Sequence, residues 1–310
     1  MEQNTHSFFV RFYIYQKERF PFVGYIILIG VFTFSAISYS RICRGENGFI
    51  DWKHYLIGII TTFTLFFLVR IFDEFKDKEE DAKYRKYLPV PRGLISLKEL
   101  RWVGILVALI QLFLILFFQK EMILLYAIVM GYLLLMRAEF FVPKWLKNHQ
   151  LIYVVSHMII IPLIDVYASG LDWFYNGFEA PVGLLFFFAV SFMNGIVLEF
   201  GRKIKPPESE EEGVLSYTKY FGTKKAVWIW ILVITSTLIL SLITSVYANY
   251  GLIAFYFFGT VFLICILPAF SFLIKPSNKN AKFIEHASSL WTVFMYLGLG
   301  GIPMVSKLFF

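Results

Sequence analysis

Long apolar runs alternate with short polar segments along the whole chain. A helix needs roughly 20 apolar residues to cross about 30 Å of hydrocarbon, whereas the strands of a membrane barrel are about half as long and alternate. The runs therefore predict an all-α membrane protein with nine transmembrane helices, of which the fourth is the shortest. The predicted spans are Phe20–Ser40, His54–Phe72, Val103–Gln119, Met122–Met136, Leu151–Ala168, Ala180–Leu198, Val227–Tyr247, Leu252–Ile274 and Ser289–Phe309.

The composition supports this class. Hydrophobic residues make up 58% of the 310 residues and charged residues only 16%, against about a quarter charged in ordinary soluble domains. The net charge of +7 does not indicate nucleic-acid binding, because basic residues in a membrane protein mainly report its topology. Cys43 and Cys265 form no metal-binding or redox motif.

The distribution of basic residues predicts the orientation. If the N-terminus is cytoplasmic, the inner segments carry 24 of the 29 Lys and Arg residues and the outer segments carry 5. This imbalance fits the positive-inside rule. It predicts a multi-pass protein of the cell inner (plasma) membrane with its C-terminus outside. The cytoplasmic loops are also the long ones, so we expect the active site on that side.

An acidic stretch follows the second predicted span directly, in the segment RIFDEFKDKEED from Arg70 to Asp81. Asp73, Asp77 and Asp81 are four residues apart and share one face if the helix continues. Carboxylates stacked in this way repel one another unless a cation lies among them, and Mg²⁺ prefers carboxylate, water and phosphate oxygens. The neighbouring Lys and Arg residues suit a diphosphate. The alternative is a solvated, charged helix end, and the charges alone leave both readings open.

A second polar cluster follows the sixth predicted span. Glu199 lies at the cytoplasmic end of that span, and Arg202 and Lys203 follow it at the third and fourth positions. The two clusters are four spans apart. This spacing predicts an internal duplication, with spans 1–4 and 5–8 as the halves of a single domain over residues 1–310. We expect the clusters to face each other across a central cavity.

With these motifs the chain resembles the UbiA superfamily of intramembrane prenyltransferases, which have nine transmembrane helices and two aspartate-rich motifs. The family's first motif, Asn-Asp-x-x-Asp-x-x-x-Asp, corresponds to Asp73-Glu74-x-x-Asp77-x-x-x-Asp81 here. The segment PVPRGLIS, from Pro89 to Ser96, resembles an element that often follows that motif. The segment GVLSYTKYFG, from Gly213 to Gly222, resembles the tail of the second motif. The resemblance covers nearly the whole chain.

The second motif departs from the family pattern. Glu199 stands where the family has its first aspartate, and Lys203 stands where the second acid is expected. A segment that includes Pro206 and Pro207 is inserted before Gly213. These differences leave open the number of metal ions. They also leave open whether Lys203 contacts a diphosphate directly.

The motifs and the resemblance together imply a set of site residues. The resemblance implies a basic diphosphate contact after the fourth span, where Arg137 is the matching residue. His157, an ionisable residue inside the fifth span, is a candidate base, and the alternative is a neutral histidine bonded to a neighbouring helix. The expected Mg²⁺ ligands are Asp73, Glu74, Asp77, Asp81 and Glu199; the expected diphosphate contacts are Arg70, Lys76, Arg137, Arg202 and Lys203; the expected catalytic residues are Asp73, Asp77, Glu199 and His157; and the expected pocket residues are Ser191 and Asn194.

The resemblance implies Mg²⁺-dependent transfer of an isoprenyl group from a prenyl diphosphate to a hydrophobic acceptor. The attacking group of that acceptor is an aromatic ring or another nucleophile. A terpene cyclase of the same superfamily would ionise the same diphosphate and quench the cation with the substrate's own double bond. A transporter or lipid-binding protein without catalysis would need the acidic faces only as gates or surface. The sequence leaves the prenyl chain length and the acceptor open.

Overall fold

The computed structural model describes residues 6–309, and the regular elements within that range are all helices. Short 3₁₀ turns at Lys120–Met122, Glu139–Phe141 and Pro207–Ser209 and a π-helical segment at Leu297–Gly301 connect some of them. The α-helices in chain order are α1 Phe8–Arg19, α2 Phe22–Cys43, α3 Trp52–Lys76, α4 Lys78–Tyr84, α5 Leu97–Phe118, α6 Ile123–Arg137, α7 Pro143–Asn148, α8 Gln150–Met158, α9 Ile160–Gly170, α10 Gly183–Lys203, α11 Tyr217–Phe221, α12 Thr223–Tyr247, α13 Gly251–Ile274, α14 Asn278–Tyr296 and α15 Ile302–Phe309.

Within the described residues, eight helical segments are long and apolar enough to cross a membrane. Six of these are the single helices α2, α3, α5, α10, α12 and α13, and two are composite. The composite segments are Gln150–Gly170, formed by α8 and α9, and Asn278–Lys307, formed by α14, the π-helical segment and most of α15. The prediction of an all-helical, multi-pass membrane protein is therefore confirmed.

The fourth predicted span differs from the others. It forms α6, whose 15 residues extend only about 22 Å at about 1.5 Å per residue. This length falls short of about 30 Å of hydrocarbon. The 3₁₀ turn Lys120–Met122 runs directly into α6 and adds about 6 Å. The count of nine spans and the orientation of the termini stay predictions.

Two of the predicted spans are interrupted near a proline. Proline lacks an N–H group and clashes with the carbonyl four residues earlier. For Pro162 that carbonyl belongs to Met158, where α8 ends before α9 begins at Ile160. Pro303 follows the π-helical segment Leu297–Gly301. Pro268 behaves differently, because α13 continues through it as one helix.

The described chain divides into two units. The first comprises residues 6–30 and 51–153, and the second comprises residues 31–50 and 154–309. In the first unit α3 packs against α5 and α6, and in the second α10 packs against α9, α12 and α14. The single-domain assignment and the internal duplication stay predictions.

Glycines bring α10 close to its neighbours in the second unit. A β-carbon at Gly201 would collide with Ser288 of α14, and one at Gly195 would collide with Ile161 of α9. Small residues at such positions let membrane helices approach until their backbones are nearly in contact. This packing fixes the end of α10, where Glu199 lies.

Candidate functional site

Asp73 and Asp77 are adjacent at the end of α3. The helix ends at Lys76, Asp77 is its C-cap, and the Asp77 N–H donates to the Asp73 carbonyl over 2.9 Å. The side chain of Asp73 is 29% exposed, and its Oδ1 accepts a hydrogen bond from Lys76 Nζ over 3.3 Å. Arg70 Nη1 lies 3.9 Å from Asp73 Oδ2. The helix therefore runs past the predicted span end at Phe72 but ends at Lys76, and Asp81 lies on the separate helix α4, so the expected face of three acids is not formed by one continuous helix.

Glu74 and Asp81 are buried and held by arginines. Glu74 Oε1 accepts from Arg19 Nε over 2.7 Å and from Arg70 Nη2 over 3.0 Å. Asp81 Oδ1 lies 2.7 Å from Arg85 Nε, and its Oδ2 lies 4.0 Å from Arg19 Nη2. These two carboxylates are therefore already compensated by the protein's own cations. Their role as metal ligands stays a prediction.

Burial and neighbouring charges perturb the carboxylates of the acidic stretch. Burial raises the pKa of Asp77, the charge of Lys76 opposes that rise, and the charge of Asp73 adds to it. Burial also raises the pKa of Asp81, and Arg85 opposes that rise. Negative charge on Asp77 is thus costly, and a cation beside Asp73 and Asp77 would relieve the repulsion between them.

Mg²⁺ fits this pair of carboxylates. Within the part of the chain that the structure describes, no three His, Cys, Asp or Glu side chains gather closely enough to hold a metal ion by themselves. Mg²⁺ does not require such a cage, because it usually binds one or two carboxylates together with waters and substrate phosphate oxygens. Asp73 and Asp77 supply the two carboxylates.

Lys76 stands beside the Asp73 carboxylate and has a second partner. Its Nζ donates to the hydroxyl of Tyr153 over 2.7 Å and lies 5.2 Å from the centroid of that ring. Tyr153 was missed by the sequence reasoning, because it lies 77 residues away within an apolar run. Arg19, which ends α1 before the first span, was missed for a similar reason. Neither residue carries a local motif.

Arg137 has a different environment from the other predicted diphosphate contacts. Its guanidinium carbon lies 5.0 Å from the ring centroid of Phe72 and 5.4 Å from that of Phe75. Phe75 is two residues after Asp73, which places it about 200° further around α3. The predicted contact between Arg137 and a diphosphate stays a prediction.

The second cluster is a compact ion triad in the second unit. Glu199 Oε2 accepts from Arg202 Nη2 over 2.6 Å, and Lys203 Nζ lies 2.6 Å from Glu199 Oε1. Lys203 Nζ is also 5.6 Å from the centroid of the Tyr217 ring. The two predicted diphosphate contacts of this cluster thus neutralise its predicted metal ligand. A metal or a diphosphate arriving here would compete with these ion pairs.

Polar residues are buried along the predicted fifth and sixth spans of the second unit. Ser191 accepts a hydrogen bond over 3.2 Å from the hydroxyl of Tyr296. His157, Asn194 and Asp165 are also buried. Burying polar groups inside a membrane helix bundle costs free energy, so such residues are candidates for a functional role. The predicted roles of His157, Ser191 and Asn194 stay predictions.

Comparison with known proteins identifies a family to which the chain is similar. A model of the UbiA prenyltransferase family matches residues 22–298. One similar solved structure is described as giving insights into digeranylgeranylglyceryl phosphate synthase in membranes; it shares 17% identity, covers 93% of this chain and 99% of its own, and has a TM-score of 0.57. At that identity the likeness shows the fold. No curated protein matches the chain.

Proposed function

The chain belongs to the UbiA prenyltransferase family, and on that premise we propose that it transfers an isoprenyl group from a prenyl diphosphate to a hydrophobic acceptor inside the membrane, with Mg²⁺. The observation that carries the proposal is the adjacent pair Asp73 and Asp77, with Lys76 beside it. Two carboxylates and an ammonium group match the charge pattern of a metal-bound diphosphate. We further propose that the site faces the cytoplasm.

The reaction breaks the bond between the allylic carbon and the diphosphate oxygen, and the electron pair leaves with the diphosphate. The acceptor nucleophile then forms a bond to that carbon and loses a proton. When bound, Mg²⁺ would stabilise the negative charge that develops on the leaving group. Asp73 and Asp77 would hold the metal, and Lys76 and Arg70 would orient the diphosphate oxygens.

Lys76 is suited to this role by its contacts. It is shared between the Asp73 carboxylate and the Tyr153 hydroxyl. We propose that it turns from Asp73 toward the diphosphate once a metal occupies the carboxylates. His157 is proposed as the group that accepts the acceptor's proton. We also propose that Glu199, Arg202 and Lys203, in the second unit, contact a diphosphate.

The proposal is tested by product analysis with the purified full chain in nanodiscs. Prenyl diphosphates of several chain lengths are supplied with and without an aromatic acceptor, in Mg²⁺ and in EDTA. We expect diphosphate release that requires both Mg²⁺ and an acceptor, with the prenylated acceptor as product. If a cyclised hydrocarbon forms without an acceptor, the protein is a terpene cyclase and not a transferase. Release of no diphosphate under any condition would favour a protein without catalysis.

A further inference from the structure

A basic cavity lies in the first unit between the ends of α3, α5 and α6. Its volume is about 390 Å³, enough for roughly a dozen water molecules at about 30 Å³ each. Four of its six lining residues are cationic and none is acidic; the lining is Phe75, Lys76, Lys78, Leu97, Arg101 and Arg137. A phosphate headgroup fits such a space by size and by charge.

Three of these cations are not neutralised by the protein. Among the described residues, Lys78, Arg101 and Arg137 form no ion pair with a carboxylate. Arg137 lies over the rings of Phe72 and Phe75, and the Arg101 guanidinium carbon is 6.0 Å from the Phe75 centroid. These three side chains are exposed, so water and salt screen much of the repulsion between them, and an anion bound between them would relieve the remainder.

The cavity is distinct from the carboxylate pair proposed to bind Mg²⁺. Phe75 is two residues after Asp73 in α3, which places it about 200° around that helix from Asp73, and Lys78 begins the next helix, α4. The other walls come from the start of α5 and the end of α6. Lys76, another lining residue, also contacts Asp73.

The helices around the cavity present large apolar side chains close to it. Trp102, which follows Arg101, is 63% exposed, and Leu106, one turn further into α5, is 58% exposed. Leu134, one turn before Arg137, is 48% exposed. In a membrane protein such side chains face lipid. The basic cavity therefore lies where α5 and α6 pass from apolar to polar surroundings.

Isolated basic residues at helix ends extend separately toward water as topological anchors. Here Lys78 of α4, Arg101 of α5 and Arg137 of α6 are also exposed, but they line one concave site. We propose that this cavity binds the phosphate of an anionic phospholipid headgroup, with the acyl chains lying along the exposed apolar faces of α5 and α6. Guanidinium groups bind phosphate through charge-assisted hydrogen bonds, and basic pockets between membrane helices select anionic lipids. Lys76 also belongs to the proposed diphosphate site, so the test leaves it unchanged and substitutes other lining residues.

The test measures lipid retained by the full chain in detergent, using native mass spectrometry with phosphatidylglycerol and phosphatidylcholine of equal acyl composition. The variant is the double substitution Lys78→Gln and Arg101→Gln. The matched control, Lys98→Gln with Lys144→Gln, removes two exposed charges from neighbouring segments that do not line the cavity. We expect the wild type to prefer phosphatidylglycerol by about 10-fold or more, and the cavity variant to lose about 10- to 30-fold of that binding.

Equal retention by the cavity variant and the control, or equal binding of the two lipids by the wild type, would overturn the proposal. A competition arm adds inorganic phosphate or diphosphate at millimolar concentration. Displacement of phosphatidylglycerol by either ion would show that the cavity takes soluble phosphates, which overturns the lipid as its ligand. The preference of the wild type is measured without any substitution, so the proposal stays falsifiable if the double variant does not fold.

Discussion

Asp77 occupies the junction between α3 and α4, where burial and the charge of Asp73 make its own charge costly. If it binds Mg²⁺ against the diphosphate, Asp77→Asn keeps its shape and removes the charge that binds the metal. A loss of about 4 kcal/mol of transition-state stabilisation slows the reaction roughly 1000-fold. We expect a loss of that order in Mg²⁺-dependent diphosphate release.

The control for this prediction is Glu79→Gln. Glu79 is exposed and lies two residues beyond Asp77, off the face shared by Asp73 and Asp77. We expect it to retain near-wild-type turnover. Full activity of Asp77→Asn, or activity indifferent to EDTA, would leave the acidic stretch as an ordinary charged helix end.

Substitutions of Lys203 test why a lysine stands where the family has an acid. Its ammonium group lies 2.6 Å from Glu199 Oε1, so Lys203 compensates a partly buried acid and also stands where the family has a second acid. If Lys203 contacts the diphosphate, Lys203→Gln should lower turnover about 100-fold, equivalent to about 2.7 kcal/mol of transition-state binding. Restoring an acid with Lys203→Asp should not rescue it. Recovery of activity in Lys203→Asp would show instead that the position serves a metal. Both variants are assayed by diphosphate release over a range of Mg²⁺ concentrations.

At the scale of elements, the buried carboxylate of Asp172, which lies just after α9, binds side chains at the end of α2 in the second unit. This group accepts from Ser40 Oγ over 2.8 Å, from Arg41 Nη1 over 3.1 Å and from Arg44 Nη2 over 2.9 Å. Asp172→Ala leaves two largely buried arginines without their partner, and breaking a buried ion pair in this way costs about 3–5 kcal/mol.

We therefore expect Asp172→Ala to lower the thermal unfolding midpoint in detergent strongly, at an unchanged Mg²⁺ requirement. The matched control is Glu46→Ala, an exposed acid in the segment that follows α2. An exposed substitution of this kind usually changes stability by less than about 0.5 kcal/mol. Equal midpoints for the two variants would argue that the Asp172 cluster contributes little to the stability of α2.

At the scale of the whole molecule, the number of spans determines on which side of the membrane the C-terminus lies, and α6 is the helix that decides this number. Nine spans place the C-terminus opposite the N-terminus, and eight spans place both on one side. The split of basic residues, 24 against 5, favours nine. A reporter fused after Phe310 should therefore behave as periplasmic. A cytoplasmic signal would mean that α6 does not span and that the orientation of the later loops, Glu199 included, is reversed.

The sequence by itself determined the class and the helical fold. The reason is that these properties are local: an apolar run must satisfy its backbone polar groups in a helix inside lipid. Eight of the nine predicted spans correspond to single long helices or to helices interrupted near Pro162 or Pro303. The length of α6 and the separate helix α1 were not visible in the hydropathy pattern.

Only the tertiary structure decided how the charged residues are paired. Glu74 is joined to Arg19, 55 positions earlier, and Lys76 to Tyr153, 77 positions later. The tertiary structure also distinguishes Asp73 and Asp77 from Glu74 and Asp81, which are bound by arginines. It also gathered Lys78, Arg101 and Arg137 around one cavity. In the sequence alone, these four acids look equivalent. Their different roles depend on which distant cation each one reaches, and that choice is made by helix packing rather than by any local pattern.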